Sequence, residues 1–101
     1  MMRILTKKRN IYFIGIGGIG MSGIAEILHE MKFLISGSDL NENNNTIRLK
    51  KLGIKINFGH FKENIKDKDI IVYSSAIKMS NPEIVEAENL NIPILPRAKI
   101  L

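Results

Sequence analysis

With 101 residues, 45% of them apolar, 25% charged and none of them cysteine, the chain suits one globular domain and excludes a disulfide scaffold or a thiolate metal site. No apolar run approaches a membrane span, and the basic start MMRILTKKRN lacks the apolar stretch of a signal peptide, so a cytoplasmic address with no membrane partner is expected. The net charge of +5 does not point to nucleic acid: Lys7, Lys8 and Arg9 cluster in an N-terminal arm (residues 1–9), the other cations are scattered, and no aromatic residues interleave with them as a stacking platform needs.

After the arm, residues 10–16 read as a buried strand, a β-branched and aromatic run (IYFIGI) ended by glycine. From Gly20 the period changes. Met21, Ile24, Ala25, Ile27, Leu28 and Met31 recur at spacings of three and four, which predicts a helix with that set facing inward. Residues 33–38 read as a second strand ending at Asp39. The polar loop LNENNNT follows, then a short helix over 46–52 with Leu49 and Leu52 inward and Gly53 as its stop. Ile54, Ile56 and Phe58 alternate with polar residues and predict a third strand, ending at Gly59-His60. FKENIKDK is a polar connection with room for one helical turn. Residues 69–73 (DIIVY) show no alternation, as in a strand buried on both faces. Asn81-Pro82-Glu83 opens a helix to about residue 90: Asn caps, Pro suits the first helical position, and Glu suits the positive helix end. A fifth strand over 92–95 lies between Pro93 and Pro96. Strand–helix alternation with short links predicts an α/β fold, a Rossmann-like parallel five-stranded sheet of order 3-2-1-4-5 with helices on both faces.

Gly15-Ile-Gly17-Gly18-Ile-Gly20 matches G-x-G-x-x-G. It follows a strand, opens a helix, and has Asp39 at the end of the second strand, 19 residues beyond Gly20. Gly15 permits the tight turn, Gly17 lets phosphates approach the backbone, and Gly20 lets the helix pack closely on the sheet. Unpaired N–H groups at the helix start, aided by the dipole, then hold the anion. Asp39 is placed to accept from ribose hydroxyls or a base, or to serve as a cap. His60 ends the third strand on the ligand edge, or is an exposed loop histidine. Ser74 and Ser75 end the fourth strand beside the glycine loop, within reach of phosphate or sugar. They have no elbow motif and no acid–base partner, so no catalytic residue is expected, and no metal site either.

The longer strings FIGIGGIGMSGIAEIL, SGSDL, DIIVYSSAI, NPEIVEA and IPILPRAKIL, in order and properly spaced, resemble the N-terminal domain of the Mur ligase family of peptidoglycan synthesis over residues 10–101. The resemblance implies a Rossmann-like domain over residues 10–96 that binds the UDP part of a UDP-sugar, not a dinucleotide, with UDP-N-acetylmuramate as the partner. It places the diphosphate on Gly15, Gly17, Gly18, Ile19, Gly20, Met21 and Ser22, the uridine by Asp39, and the remaining edge along His60, Ser74, Ser75 and Ala76. In the complete enzyme, ATP with Mg2+ would phosphorylate the muramoyl carboxylate and the amine of L-alanine would attack the acyl phosphate. Those steps need a central ATP-binding domain and a C-terminal domain, to which residues 97–101 would begin the connection. No G-x-x-x-x-G-K-[ST] occurs in the chain, so no cofactor site and no ligation by these residues alone are expected. The alternatives from the residues themselves are an NAD-dependent module and a nucleotide-sensing regulatory domain.

Overall fold

In the computed structural model, which describes residues 9–100, the five strands lie in one parallel sheet of order β3-β2-β1-β4-β5. The elements in chain order are β1 (Asn10–Ile14), α1 (Ile19–Glu30), β2 (Leu34–Asp39), α2 (Asn44–Lys51), β3 (Lys55–Phe58), β4 (Ile70–Tyr73), α3 (Pro82–Asn89) and β5 (Ile94–Pro96). Two 3-10 turns, Lys62–Ile65 and Arg97–Lys99, precede β4 and follow β5. The predicted fold class and strand order are therefore observed. Of the N-terminal arm only Arg9 lies within the described residues.

The register shows how the sequence divides the sheet. Tyr12 lies beside Ser36 and Ile71, and Phe13 beside Gly37 and Val72. Successive side chains point to opposite faces, so Ile11, Phe13, Ile35, Ile70 and Val72 meet Met21, Ile24, Ala25 and Leu28 of α1 and Leu49 of α2 in one apolar core. On the other face Tyr12, Ile14 and Ile71 meet Ile65, Ile84 and Ala87 beneath α3. This second cluster is smaller, and the same face carries Ser36, Ser38 and Asn57. Gly37 stands where β2 runs beside the end of β1 and the loop after it: a Cβ there would clash with Phe13 O and lie 2.8 Å from Ile16 Cβ. Only glycine fits.

The helix ends obey their local chemistry. Asn43 and Thr46 form a reciprocal capping box at the start of α2, and Asn81 Oδ1 accepts from Glu83 N at the start of α3. Gly53, at φ 93°, ends α2 as predicted. The inward face of α1 differs from expectation. Ile27 is 48% and Met31 55% exposed, whereas Ser22 is buried. The buried arc turns toward Ser22 because α2 flanks α1 on that side, joined by Arg48 Nε to Glu26 Oε1 at 3.1 Å. No α-helix among the described residues covers the Ile27 side. Leu52, the last residue before Gly53, and Phe58, at the end of the edge strand β3, are also more exposed than their alternation suggested.

Candidate functional site

The carboxyl ends of β1, β2, β3 and β4 converge on one edge, where the crevice of an open parallel sheet lies. Gly15, at φ 85°, turns the chain out of β1, and its N–H and that of Ile16 both donate to Ser38 O at 2.8 and 2.9 Å. The Gly17 peptide is then held from both sides. Its N–H donates to Asp39 Oδ2 at 2.7 Å, and its carbonyl accepts from Asn43 Nδ2 and Asn45 Nδ2 at 3.2 and 2.9 Å. A Cβ on Gly17 would come within 2.8 Å of Asp39 Oδ2 and 2.9 Å of Asn43 Nδ2 and Thr46 Cγ2, so the close approach expected here is to the protein's own clamp. Gly18 N donates to Gly15 O, and Gly18 caps α1 with no side-chain bond.

The first α1 amide with an acceptor is Ser22 N, on Gly18 O. The N–H groups of Ile19, Gly20 and Met21 have no protein acceptor among the described residues, and the first turn of α1 carries no acidic side chain. Three open donors on the positive end of a 12-residue helix make an anion seat. Ile19 stands out beside it, 92% exposed. Met21 offers only its N–H, because its side chain is in the core, and the Ser22 hydroxyl is turned back to Ile19 O at 3.4 Å. Gly20 differs from its expected part. It is exposed, and a Cβ there would meet not the sheet but the Arg97 side chain, 3.0 Å from Nε and 3.1 Å from Cζ. The tightest approach at the sheet is instead within it, at Gly37 against Phe13 O and Ile16. Arg97 thereby brings a guanidinium against the anion seat, a placement that PRAKIL gave no means of foreseeing.

Asp39 does more than face a ligand. Besides Gly17 N it accepts from Leu40 N through Oδ1 at 2.8 Å, so each carboxylate oxygen already holds one backbone amide. Ser74 lies beside the loop, its Oγ 3.0 Å from where a Gly15 Cβ would sit. Ser75 and Ala76 are exposed just beyond. His60 and Ala76 line a cavity of about 320 Å³ with Leu40, Ile77, Asn81 and Pro82. The structure thus brings the sequence-derived residues to one edge in two parts, the anion seat of α1 and the His60 cavity.

Behind the cavity is a polar network that sequence reading missed. Glu83 is fully buried, yet its carboxylate accepts from Ser38 Oγ at 2.6 Å, Asn64 Nδ2 at 2.7 Å, Tyr12 Oη at 2.8 Å and Phe61 N at 3.3 Å. His60 Nδ1 lies 2.8 Å from Ser38 Oγ and 3.2 Å from Glu83 Oε1. A buried charge must be compensated. Here the donors do so, with the N-terminus of α3, where Glu83 follows Pro82. Burial pushes the Tyr12 phenol well above the ordinary tyrosine range; the Asn57 hydrogen bond opposes this and the Glu83 charge adds to it. The signal available in the sequence was Ser36 and Ser38 at inward positions of β2 and a carboxylate in Asn-Pro-Glu, for which helix-end electrostatics is a sufficient local explanation.

Among the described residues no group of three His, Cys, Asp or Glu is placed to hold a metal ion, and no helix is long and apolar enough to cross a membrane.

A family model described as "Mur ligase family, catalytic domain" matches residues 10–101. The chain is 56% identical over 101 residues to UDP-N-acetylmuramate–L-alanine ligase of Aquifex aeolicus, covering all of this chain and 22% of that protein. It is 55% identical over 106 residues to the ligase of the same name from Rickettsia typhi, again covering all of this chain and 21% of that one. Among solved structures, UDP-N-acetylmuramate–alanine ligase of Thermotoga maritima superposes with a TM-score of 0.86 at 39% identity, over 89% of this chain and 21% of that one. The chain therefore spans about a fifth of the length of these relatives, which is their N-terminal domain. Five parallel strands in order 3-2-1-4-5, a clamped glycine loop and a match over nearly its whole length together show that this chain belongs to the Mur ligase family.

Proposed function

We propose that this chain is the UDP-N-acetylmuramate-binding domain of a UDP-N-acetylmuramate–L-alanine ligase, acting in the cytoplasm. The observation that carries the reading is the trio of open N–H groups, Ile19, Gly20 and Met21, at an uncharged helix start whose loop is already held in shape. A diphosphate suits that seat, and the Arg97 guanidinium against Gly20 adds a cation for its charge. The cavity beyond Asp39, with His60 and Ala76 on its wall, suits the uridine end. Relatives that share more than half of their aligned residues with this chain carry that ligase name, which favours a UDP-sugar over NAD.

ATP and Mg2+ belong to the complete ligase and not to these residues. The chain has no G-x-x-x-x-G-K-[ST], and its described part has no cluster of acidic and histidine side chains for a cation, so no step is assigned to them here. The part of this domain is to hold the substrate while the other domains supply the phosphoryl chemistry and L-alanine. Exposed Ile19 beside the seat suits contact with substrate or with such a domain.

The test is an amide NMR titration of the chain with UDP-N-acetylmuramate, NADH and ATP. Saturable shifts at Ile19, Gly20 and Met21 with the UDP-sugar alone are expected. Saturable NADH binding without a UDP-sugar response would overturn the reading. ATP- and L-alanine-dependent phosphate release by the 101-residue chain would refute its assignment as a binding domain only.

A further inference from the structure

Glu83 is the one fully buried carboxylate among the described residues, and substrate holding as described above does not use it. Its surroundings fix the direction of the hydrogen bonds at Oε2. Asn64 Nδ2 and Phe61 N can only donate, so Glu83 Oε2 is an acceptor. Tyr12, held in its neutral form, donates to the same oxygen. Oε1 receives the Ser38 hydroxyl at 2.6 Å, a distance typical of O–H donating to a carboxylate. With the Ser38 proton committed to Glu83 and Oε1 itself an acceptor, the ring nitrogen facing both must carry a hydrogen. That nitrogen is His60 Nδ1. The neutral ring then has a lone pair on Nε2.

Nε2 has no protein partner among the described residues. Nor is it sealed off: among the described residues the buried side-chain polar atoms without a partner are Arg9 Nε and Ser36 Oγ. His60 lines the cavity that contains Leu40, Ile77 and Pro82, apolar surfaces suited to the faces of a flat ring. Asn81 lines it too. Its Oδ1 is committed to Glu83 N, which leaves Nδ2 as a donor.

We propose that Glu83 is a positioning residue that holds His60 as the Nδ1–H tautomer, so that Nε2 reads an N–H donor on the bound base and selects uracil, whose N3 carries hydrogen, over cytosine, whose N3 is an acceptor. The chemistry is complementary in both groups: an imide N–H for His60 Nε2 and a flanking carbonyl for Asn81 Nδ2. Cytosine would set two lone pairs against each other and leave a desolvated acceptor unpaired, a mismatch that hydrogen-bonding sites reject strongly. The proposal rests on the UDP-sugar reading given above. The opposite arrangement is equally definite: a protonated Glu83 donating to Ser38, Ser38 donating to His60 Nδ1, and hydrogen on Nε2. It would favour cytosine.

Two measurements on the unaltered chain decide between them. Long-range 1H–15N spectra at about pH 8, above the ordinary imidazole range, should show His60 protonated on Nδ1, with His29→Gln used to assign the two histidines. Hydrogen on Nε2 overturns the proposal. Calorimetric titration should then give UDP at least ~10-fold tighter binding than CDP. Equal binding of the two overturns the selection and leaves the UDP-sugar reading standing, whereas binding of neither refutes that reading and this one with it. Glu83→Gln should reduce the UDP preference to less than ~3-fold and populate the Nε2–H tautomer, with the far-UV circular dichroism unchanged. A folded Glu83→Gln chain that keeps both the preference and the tautomer overturns the role of Glu83. Should that variant not fold, the tautomer and the UDP to CDP ratio of the unaltered chain decide alone.

Discussion

The two faces of the sheet are built from the same five strands and solve burial in opposite ways. Toward α1 and α2 the buried strand side chains are apolar, from Ile11 and Phe13 to Val72, and the polar residues buried on that side, Ser22 and Thr46, sit on the helices. Toward α3 a smaller apolar cluster shares its face with Tyr12, Ser38, Asn57 and Glu83, tied together by hydrogen bonds. The dry face depends on volume, so it tolerates changes that keep size. The wet face depends on partners, so one lost group strands several others. The helix with the three open amides is anchored in the dry face, and the histidine that lines the cavity is anchored in the wet one.

The comparison can be broken most severely on the dry face. Phe13→Ala removes a fully buried ring and should cost roughly 3–5 kcal/mol in urea unfolding. On the wet face Glu83→Ala should cost less, about 2 kcal/mol, chiefly because Tyr12, Ser38 and Asn64 lose their acceptor. A loss as large as that of Phe13→Ala would mean the two faces are not distinct in kind. Where the faces meet the loop, Gly17→Ala should weaken UDP binding about tenfold, the equivalent of ~1.4 kcal/mol, since its Cβ would push on Asp39, Asn43 and Thr46. Gly18→Ala should stay within about threefold, because a Cβ there meets only ordinary contacts, 3.4 Å from Gly15 O and 3.7 Å from Met21 Cγ. Equal losses would place the ligand rather than the clamp against Gly17.

Alkaline titration sharpens the contrast further. The folded Tyr12 hydroxyl keeps its proton at pH values where an unfolded tyrosine loses it, so its contribution is fully present below about pH 10 and falls as pH rises above that value. Thermal melts of the unaltered chain should decline more steeply above about pH 10 than those of Tyr12→Phe, and parallel curves would contradict the raised value. The smallest effect belongs to Ile27→Gln, expected within about 0.5 kcal/mol of the parent because the side chain is already half exposed.

Much of this was legible in the sequence where a periodic rule governs. The dry face follows from the runs IYFIGI and DIIVY and from the spacing of Met21, Ile24, Ala25 and Leu28, and the strand order follows from right-handed crossovers. The cap at Asn81 and the stop at Gly53 are local chemistry and read as such, whereas α2 begins at Asn44 with Asn43 as its cap, two residues before the expected start at 46. The rotation of α1 was not legible, because it depends on which flank α2 covers. Glu83 was invisible for a related reason: its partners Tyr12, Ser38 and Asn64 are 71, 45 and 19 residues away in the chain, and only the fold brings them together. The glycine pattern misassigned the contact of Gly20, since the motif cannot tell contact with a sheet from contact with the Arg97 side chain.

The grip on the Gly17 peptide has a consequence for how fast and how tightly a ligand can be taken up. Three side chains from the ends of β2 and α2 hold that peptide through the protein's own hydrogen bonds. A loop of bare glycines would otherwise sample many shapes, and ordering each residue costs on the order of 1–2 kcal/mol of conformational entropy. Here that cost is met when the chain folds. The diphosphate proposed for this seat would find its donors already aligned, so it would not wait for a rare loop shape, and its capture would be governed by collision and charge rather than by rearrangement.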